Sequence, residues 1–251
     1  MPHLQSAVIA TIMLSFGTAN AASPVIINEV HINATNWYGG TVDEAVELIF
    51  VQNTPVTILA NYYFGDSTAA TTVKSTAFRV NGASWAGING GLIPSGTILV
   101  IGLGTTDTTL NPAGGDWNLL LKADDTAWFT QTLGGASGSF GNSEEVVYFD
   151  TTDAGVAITA DGIALAFRTS SSVFGPFGTA SGVTQVDLGP TMANGDSVQL
   201  TALPSAANAA IGTNFSRAAA FNTLGTANNG AQSIAITALR AASISEWSLL
   251  D

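Results

Sequence analysis

The chain has no cysteine. Disulfides, thiolate metal sites and cysteine nucleophiles are excluded, so stability has to come from packing and backbone pairing. Cations are almost as scarce: six Lys and Arg stand against eighteen Asp and Glu, a formal net charge of −12 in 251 residues. They are Lys74, Arg79, Lys122, Arg168, Arg217 and Arg240, with no two adjacent. Neutralising phosphates needs clustered cations, which disfavours nucleic acid as a partner, and an anionic membrane surface for the same reason. A cationic partner or a divalent metal stays compatible with this balance. Of two histidines, only His31 lies beyond the first few residues. A Ser-His-Asp triad would have to use it, yet no nucleophile-elbow motif is present. Flanked by Val30 and Ile32, it reads as a surface or packed histidine. A phosphate-cradling G-x-x-x-x-G-K loop, an H-E-x-x-H helix and a spaced histidine cluster are all missing. Nothing among the eighteen acids singles out a glycosidase-type pair. The chain is therefore read as non-catalytic.

What is present is apolar and β-forming. Hydrophobic residues make up 46% and charged residues 10%, the reverse of a disordered composition. The length suits one elaborated all-β domain and is ample for a core. Residues 1–23 resemble a signal peptide: Ala7–Phe16 is an apolar stretch of the right length, and Ala19-Asn20-Ala21 is an A-x-A cleavage pattern, although no Lys or Arg precedes it. With no stop-transfer pattern downstream, no transmembrane helix is expected. The expected organisation is a signal-like segment at 1–23, a single β-sandwich at 24–240 with inserted loops or hairpins, and a C-terminal segment at 241–251.

Two apolar runs, Val25–Val30 and Val46–Val51, flank an Asn, Thr, Gly and Asp-rich loop. Both faces of each run are largely apolar, as in strands covered on both sides. Each carries one glutamate, Glu29 and Glu47, which must find hydrogen-bond donors or a cation. They are read as structural acids that define the fold, with metal ligation as the alternative. Further strands are expected at Pro55–Leu59, Tyr62–Asp66, Phe78–Val80, Thr97–Gly102, Glu144–Asp150, Gly182–Leu188, Asp196–Leu203 and Ser233–Leu239, and a strand pair about the Asp161-Gly162 turn at Ala157–Arg168. Thr105–Gly141 reads as an elaborated loop or inserted hairpin. Ala206–Ile211 and Ala218–Phe221 are Ala-rich but short for helices.

The order of these blocks resembles the lamin-tail domain family in its bacterial secreted form. That family's pattern runs I-N-E, E-x-x-E-L-x-N, V-D-L-x-x-W with a following Asp, then L-P-P-G-x-x-L-V-I. The matching residues are Asn28-Glu29, Glu44, Glu47-Leu48, Asn53, Val56, Leu59, Asp66, Pro94, Gly96 and Leu99-Val100-Ile101. Tyr62-Tyr63-Phe64 stands where Trp is usual, and Asn53 sits further from Glu47. Gly141–Asp150 is similar to the L-x-N-x-G-D-x-V-x-L-x-D segment. Phe215-Ser216-Arg217 and Thr223–Asn229 resemble the closing S-x-x-R…T-P-G-x-x-N element, without its proline. The resemblance covers about Val25 to Gly230 and implies an immunoglobulin-like β-sandwich. Such modules accompany phosphodiesterases and nucleases, but no catalytic companion domain is visible. The end of the chain, Ser243–Asp251, resembles the start of a bacterial sorting tail without its hydrophobic span and basic end, and is expected to be a last strand or docking segment.

The functional expectation is a secreted or cell-surface structural subunit that polymerises by strand exchange and forms homo-oligomers or cell-surface assemblies. The alternative is a carbohydrate- or ligand-binding adhesion module, with Trp37, Tyr38, Trp85, Trp117 and Trp128 as candidate stacking residues. No cofactor is required. Calcium is the ligand the acids leave open, at Asp150 and Asp153 or at Asp43 and Glu44, against the simpler reading of solvated turns.

Overall fold

A computed structural model of the protein describes residues 23–34, 43–67, 77–85, 91–103, 109–110, 118–122, 125–133, 144–151, 162–168, 174, 179, 181–189, 195–218 and 223–247. In chain order the strands are β1 (Val25–Ala34), β2 (Asp43–Phe50), β3 (Thr54–Pro55), β4 (Tyr63–Ser67), β5 (Ala77–Val80), β6 (Leu92–Ile93), β7 (Ile98–Leu103) and β8 (Thr109–Leu110). They continue with β9 (Asn118–Lys122), β10 (Phe129–Leu133), β11 (Glu144–Asp150), β12 (Ile163–Arg168), β13 (Val183–Asp187), β14 (Ser197–Leu200) and β15 (Phe215–Ala218). Three single helical turns, α1 (Val56–Leu59), α2 (Gly82–Trp85) and α3 (Ala206–Ala209), precede a long α4 (Gly230–Trp247). The molecule is all-β in character, with strands in several sheets and few helices.

One sheet runs in the order β15, β14, β1, β2, β7, β9, β8, and the other β10, β5, β4, β11, β12, β13; β3 and β6 form a small ribbon. Most pairs are antiparallel, but β7 with β9 and β12 with β13 are parallel. Both large sheets contribute to one core: Leu48, Phe50, Ile101 and Leu121 from the first meet Phe64, Phe78, Phe149 and Phe167 from the second in one cluster. Alternation sends Val146 and Tyr148 of β11 to the opposite face, where with Ala164 and Ala166 they form a smaller cluster against Phe174.

The edge of the second sheet at β13 is covered. The chain that links β14 to β15 folds over it, with Thr184 Oγ1 donating to the Ala209 carbonyl. Gly212 packs so closely on the Gln185 carbonyl that a Cβ has no room. Capping an edge in this way blocks further strand addition there.

Four expectations need correction. Ser233–Leu239 lies inside α4 and is not a strand. Its alternating isoleucines are misleading: Ile236 is buried while Ile234 is 75% exposed. The relevant spacing is i, i+4, i+8: Gln232 bonds to β14, Ile236 enters the core and Arg240 reaches the turn before β7. Asn229 starts the helix by accepting the Gln232 N–H on its side chain, an N-cap. The same helix runs through the expected boundary at 240 and takes in the backbone of 243–247, so that stretch is no strand either. Val56–Leu59 turns helical after a two-residue strand. Proline at the N-terminal side of the turn already has a suitable φ and needs no donor. Finally, Thr105–Gly141 is no peripheral insertion: β9 pairs with β7 in the first sheet and β10 with β5 in the second. Among the described residues of the Ala157–Arg168 reading, only Gly162–Arg168 can be compared; Ala157–Asp161 lie outside them, as do 1–22.

Helix α4 docks on the turn before β7. Ser95 Oγ donates to the Leu239 carbonyl and Arg240 Nε donates to the Gly96 carbonyl. Gly96 has φ of 80°, and a Cβ there would stand 2.6 Å from Arg240 Cγ and 2.8 Å from the Ile236 carbonyl. Replacing Gly96 by Ala combines left-handed strain with overpacking and is expected to cost roughly 2 kcal/mol. Chemical denaturation would measure it; an unchanged midpoint would mean that the helix does not dock through this turn.

Candidate functional site

Glu29 and Glu47 face each other across the β1–β2 ladder. A register shift between Ile27 and Glu29 places them so: Ile27 pairs with Leu48, and the next partners are Glu29 and Glu47, leaving Asn28 as an extra residue in β1. A bulge of this kind re-aims side chains and leaves backbone groups without a ladder partner. Here it turns Asn28 and Glu29 toward Glu47. All three are fully buried.

A segment from the far end of the chain covers them. Glu47 accepts two hydrogen bonds, from Asn28 Nδ2 at 2.6 Å and from the Gly225 N–H at 2.6 Å. Glu29 Oε2 lies 2.6 Å from Thr223 Oγ1. Asn228 Nδ2 donates to the Asn28 carbonyl at the bulge and to the Leu200 carbonyl. Gln232, also fully buried, donates through Nε2 toward Asn28 Oδ1, Leu200 O and Ala202 O, and accepts the Asn228 N–H on Oε1. Gly225 makes the tight approach possible with φ of 80°. Residues 28–29, 47 and 223–232 thus form one polar clasp that fastens the end of the chain across the first two strands.

The electrostatics follow from this burial. Desolvation pushes the Glu29 carboxyl above its ordinary range, with Thr223, Gln199 and Ser197 pulling the other way. Burial also raises Glu47 well above that range; the neighbouring Glu29 adds to the rise, while Asn28 and Gly225 oppose it. Among the described residues no Lys or Arg is paired with either acid. Glu29 Oε1 has no hydrogen-bond partner.

The remaining sequence candidates are scattered. His31 is buried, its Nε2 3.2 Å from the Gly195 carbonyl and its Nδ1 without a partner. Nε2 must carry the hydrogen, and desolvation pulls the imidazole below its ordinary pKa, partly offset by Gly195 and Asp196. It is a packed histidine. Asp150 is also fully buried; its Oδ1 accepts the Thr151 N–H, and Gly162 lies against its carboxyl. That is not the solvated turn expected there. Asp153 lies outside the described residues, and for Asp43 and Glu44 the structure describes only the backbone, in β2. Among the described residues no group of three or more His, Asp or Glu could hold a metal.

The stacking candidates need correction at Trp85. It is 1% exposed, packed edge-on against Trp128 and Phe129, with its indole N–H donating to the Trp128 carbonyl. Neither face is open to a sugar. Trp128 is partly buried against the same core. Trp37, Tyr38 and Trp117 lie outside the described residues.

A half-open cavity of about 230 Å³ lies elsewhere, between Ile26 and Ile27 of β1, Ile163 and Leu165 of β12, and α3. Its lining is largely apolar, and Ser23 and Thr184 supply the hydroxyls. Sequence reasoning gave no sign of it, because it is made by small residues (Gly162, Ala164, Gly182, Ala206, Ala209) failing to fill the space between elements far apart in the chain.

A scan against protein-family models finds no match, and searches of curated proteins and of solved structures find none either.

Proposed function

We propose that the chain is a secreted, non-catalytic β-sandwich of immunoglobulin-like type that serves as a cell-surface or extracellular assembly subunit. The observation that carries this reading is the asymmetry of the second sheet. Its β13 edge is covered by the chain itself, whereas beyond β10 no described strand follows. A sheet edge of this kind is a template for a strand from another copy. Val25–Ile27 are committed to β1 and residues 230–247 to a docked helix, so neither serves as the donor strand in this reading. Two features lend support. The acids and the histidine that chemistry would need are held by internal hydrogen bonds. The motif residues behind the lamin-tail resemblance (Asn28-Glu29, Glu47 and the 223–229 element) also meet in one place. No described helix is long and apolar enough to cross a membrane.

The test is the protein isolated from its cells, with its true N-terminus sequenced and its size measured by light scattering. The expected result is a terminus following Ala21 and a concentration-dependent polymer whose assembly is lost when Gln131 in β10 is replaced by Pro. The backbone of Thr130 faces Arg79 of β5, in step with the Asn81-to-Trp128 hydrogen bond two residues away, so the Gln131 N–H is turned to the outer edge and proline there removes an edge donor. A protein that stays monomeric at high concentration with both ends intact ends this reading.

A further inference from the structure

The clasp holds two short oxygen–oxygen contacts at a single hydroxyl. Three oxygens stand in a row: Glu29 Oε2 is 2.6 Å from Thr223 Oγ1, which is 2.6 Å from Asn228 Oδ1. Contacts this short are hydrogen bonds only if each contains a hydrogen. A threonine hydroxyl supplies one. Asn228 cannot supply the other, because its amide orientation is fixed: its Nδ2 faces two backbone carbonyls, Asn28 O and Leu200 O, so Oδ1 must face Thr223. Gln199 Nε2 donates to Thr223 Oγ1 from a third direction and adds no hydrogen between the oxygens in the row. The second hydrogen therefore belongs to Glu29.

Burial raises Glu47 further than Glu29, but its hydrogen bonds fix which of the pair keeps the proton. Both of its oxygens receive donors that cannot be reversed. Gly225 offers a backbone N–H. Asn28 must present Nδ2, because its Oδ1 faces Gln232 Nε2, itself fixed by the Leu200 and Ala202 carbonyls. Two buried donors favour the ionised form at Glu47. One proton and one negative charge shared between two facing carboxyls is the usual resolution of such a pair.

We propose that Glu29 is a carboxylic acid in the native protein, donating to Thr223, and that this proton latches the 223–247 segment over β1 and β2. The groups around it leave the latch no other source of control. Glu47 faces it from β2, Ser197 and Gln199 from β14, and Thr223, Asn228 and Gln232 from the covering segment. Of these only Glu47 titrates. The nearest histidine, His31, sits two residues along β1, and Asp196 beside it is paired with Arg217.

The sign follows from proton counting. The native state holds a proton that the unfolded chain releases above the ordinary carboxyl value of 4.5. From there up to the raised native value, stability falls as pH rises, and the unfolding constant grows by up to tenfold per pH unit. His31 acts with the opposite sign: its native value is lowered, so it favours the unfolded state as pH falls below 6.5. The comparison is therefore between wild type and variants, which share His31.

The experiment uses the full chain labelled with ¹³C at the glutamate carboxyls. At pH 7 one carboxyl is expected to show the shift of a protonated acid, and E29Q is expected to remove that signal. In parallel, E29Q is expected to keep or raise the urea midpoint at pH 7 and to lessen the fall in midpoint as pH rises above 4.5, because its amide N–H replaces the acid proton toward Thr223; the share due to the raised Glu47 stays. E47Q is expected to lower the midpoint throughout, since its amide sets a donor against Asn28 or Gly225. Only ionised glutamates at pH 7, or an E29Q protein as damaged as E47Q or too damaged to fold, would overturn the proposal.

Discussion

Replacing Gln232 by Leu is expected to lower the unfolding free energy by about 4 kcal/mol, equivalent to roughly 10 °C in Tm for a chain of this size. The side chains have nearly the same volume, so the loss is one of hydrogen bonds and not of packing. Gln232 is fully buried and serves the Asn228 N–H, Asn28 Oδ1 and the carbonyls of Leu200 and Ala202. Leucine satisfies none of them. Leu200 O keeps Asn228 as a second donor, but the Asn228 N–H, Asn28 Oδ1 and the Ala202 carbonyl lose these partners. A buried group left without a partner costs about 1–3 kcal/mol. Freed from Gln232, Asn28 is also no longer held with its amino group toward Glu47. The damage should spread along the clasp: amide exchange at Asn228 and Gly225 is expected to rise together, with little change in β11 or β12. Urea denaturation and native-state hydrogen exchange check both parts. A loss below about 1 kcal/mol would mean that water replaces the glutamine and that the clasp is looser than described.

This clasp shows where a sequence can be read and where it cannot. Strands β1, β2, β7 and β11 are legible because their apolar runs are local and bounded by turns. The burial of Glu29 and Glu47 is also legible, since each sits among Val, Ile and Leu. Their facing one another is not. Strict alternation puts Glu29 on the face of Val25 and Ile27, and only the bulge at Asn28 brings it opposite Glu47. Nothing in the order Ile-Asn-Glu announces a bulge, because the residues that stabilise it, Asn228 and Gln232, come about 200 positions later. The same distance hides the helix. Ser233–Leu239 alternates well enough for a strand, and what decides against it is Asn229 as the cap and contacts at Ile236 and Arg240 that the local pattern does not contain. Thr105–Gly141 reads as an insertion for a related reason. Its strands β9 and β10 are short, and each is stabilised by a partner in a different sheet. Tertiary pairing, not local propensity, makes them strands.

Replacing Trp85 by Ala is expected to destabilise the protein by about 4 kcal/mol, the usual loss for removing a large aromatic from a core. Trp85 ends the single turn α2 and is 1% exposed. Its ring meets Trp128 at 5.7 Å between centroids with an interplanar angle of 87°, and Phe129 at 6.4 Å and 76°, both edge-to-face arrangements. The indole N–H reaches the Trp128 carbonyl at 3.2 Å, just where the chain enters the edge strand β10. Truncation leaves a cavity and takes one of that carbonyl's two donors, the other being the Asn81 N–H, so the loss should concentrate at α2, β5 and β10. Trp85→Phe separates the two contributions: most of the packing stays, the hydrogen bond goes, and about 1 kcal/mol is expected. The pair of variants also discriminates between functions. Were Trp85 a stacking platform for sugar, Ala would abolish binding and leave stability within about 0.5 kcal/mol, as surface substitutions do. A core role predicts the reverse. In the assembly proposed above, loosening β10 would further disturb polymerisation in Trp85→Ala even where the sheets remain folded, because Trp85 packs on Trp128 and Phe129 at the start of that strand.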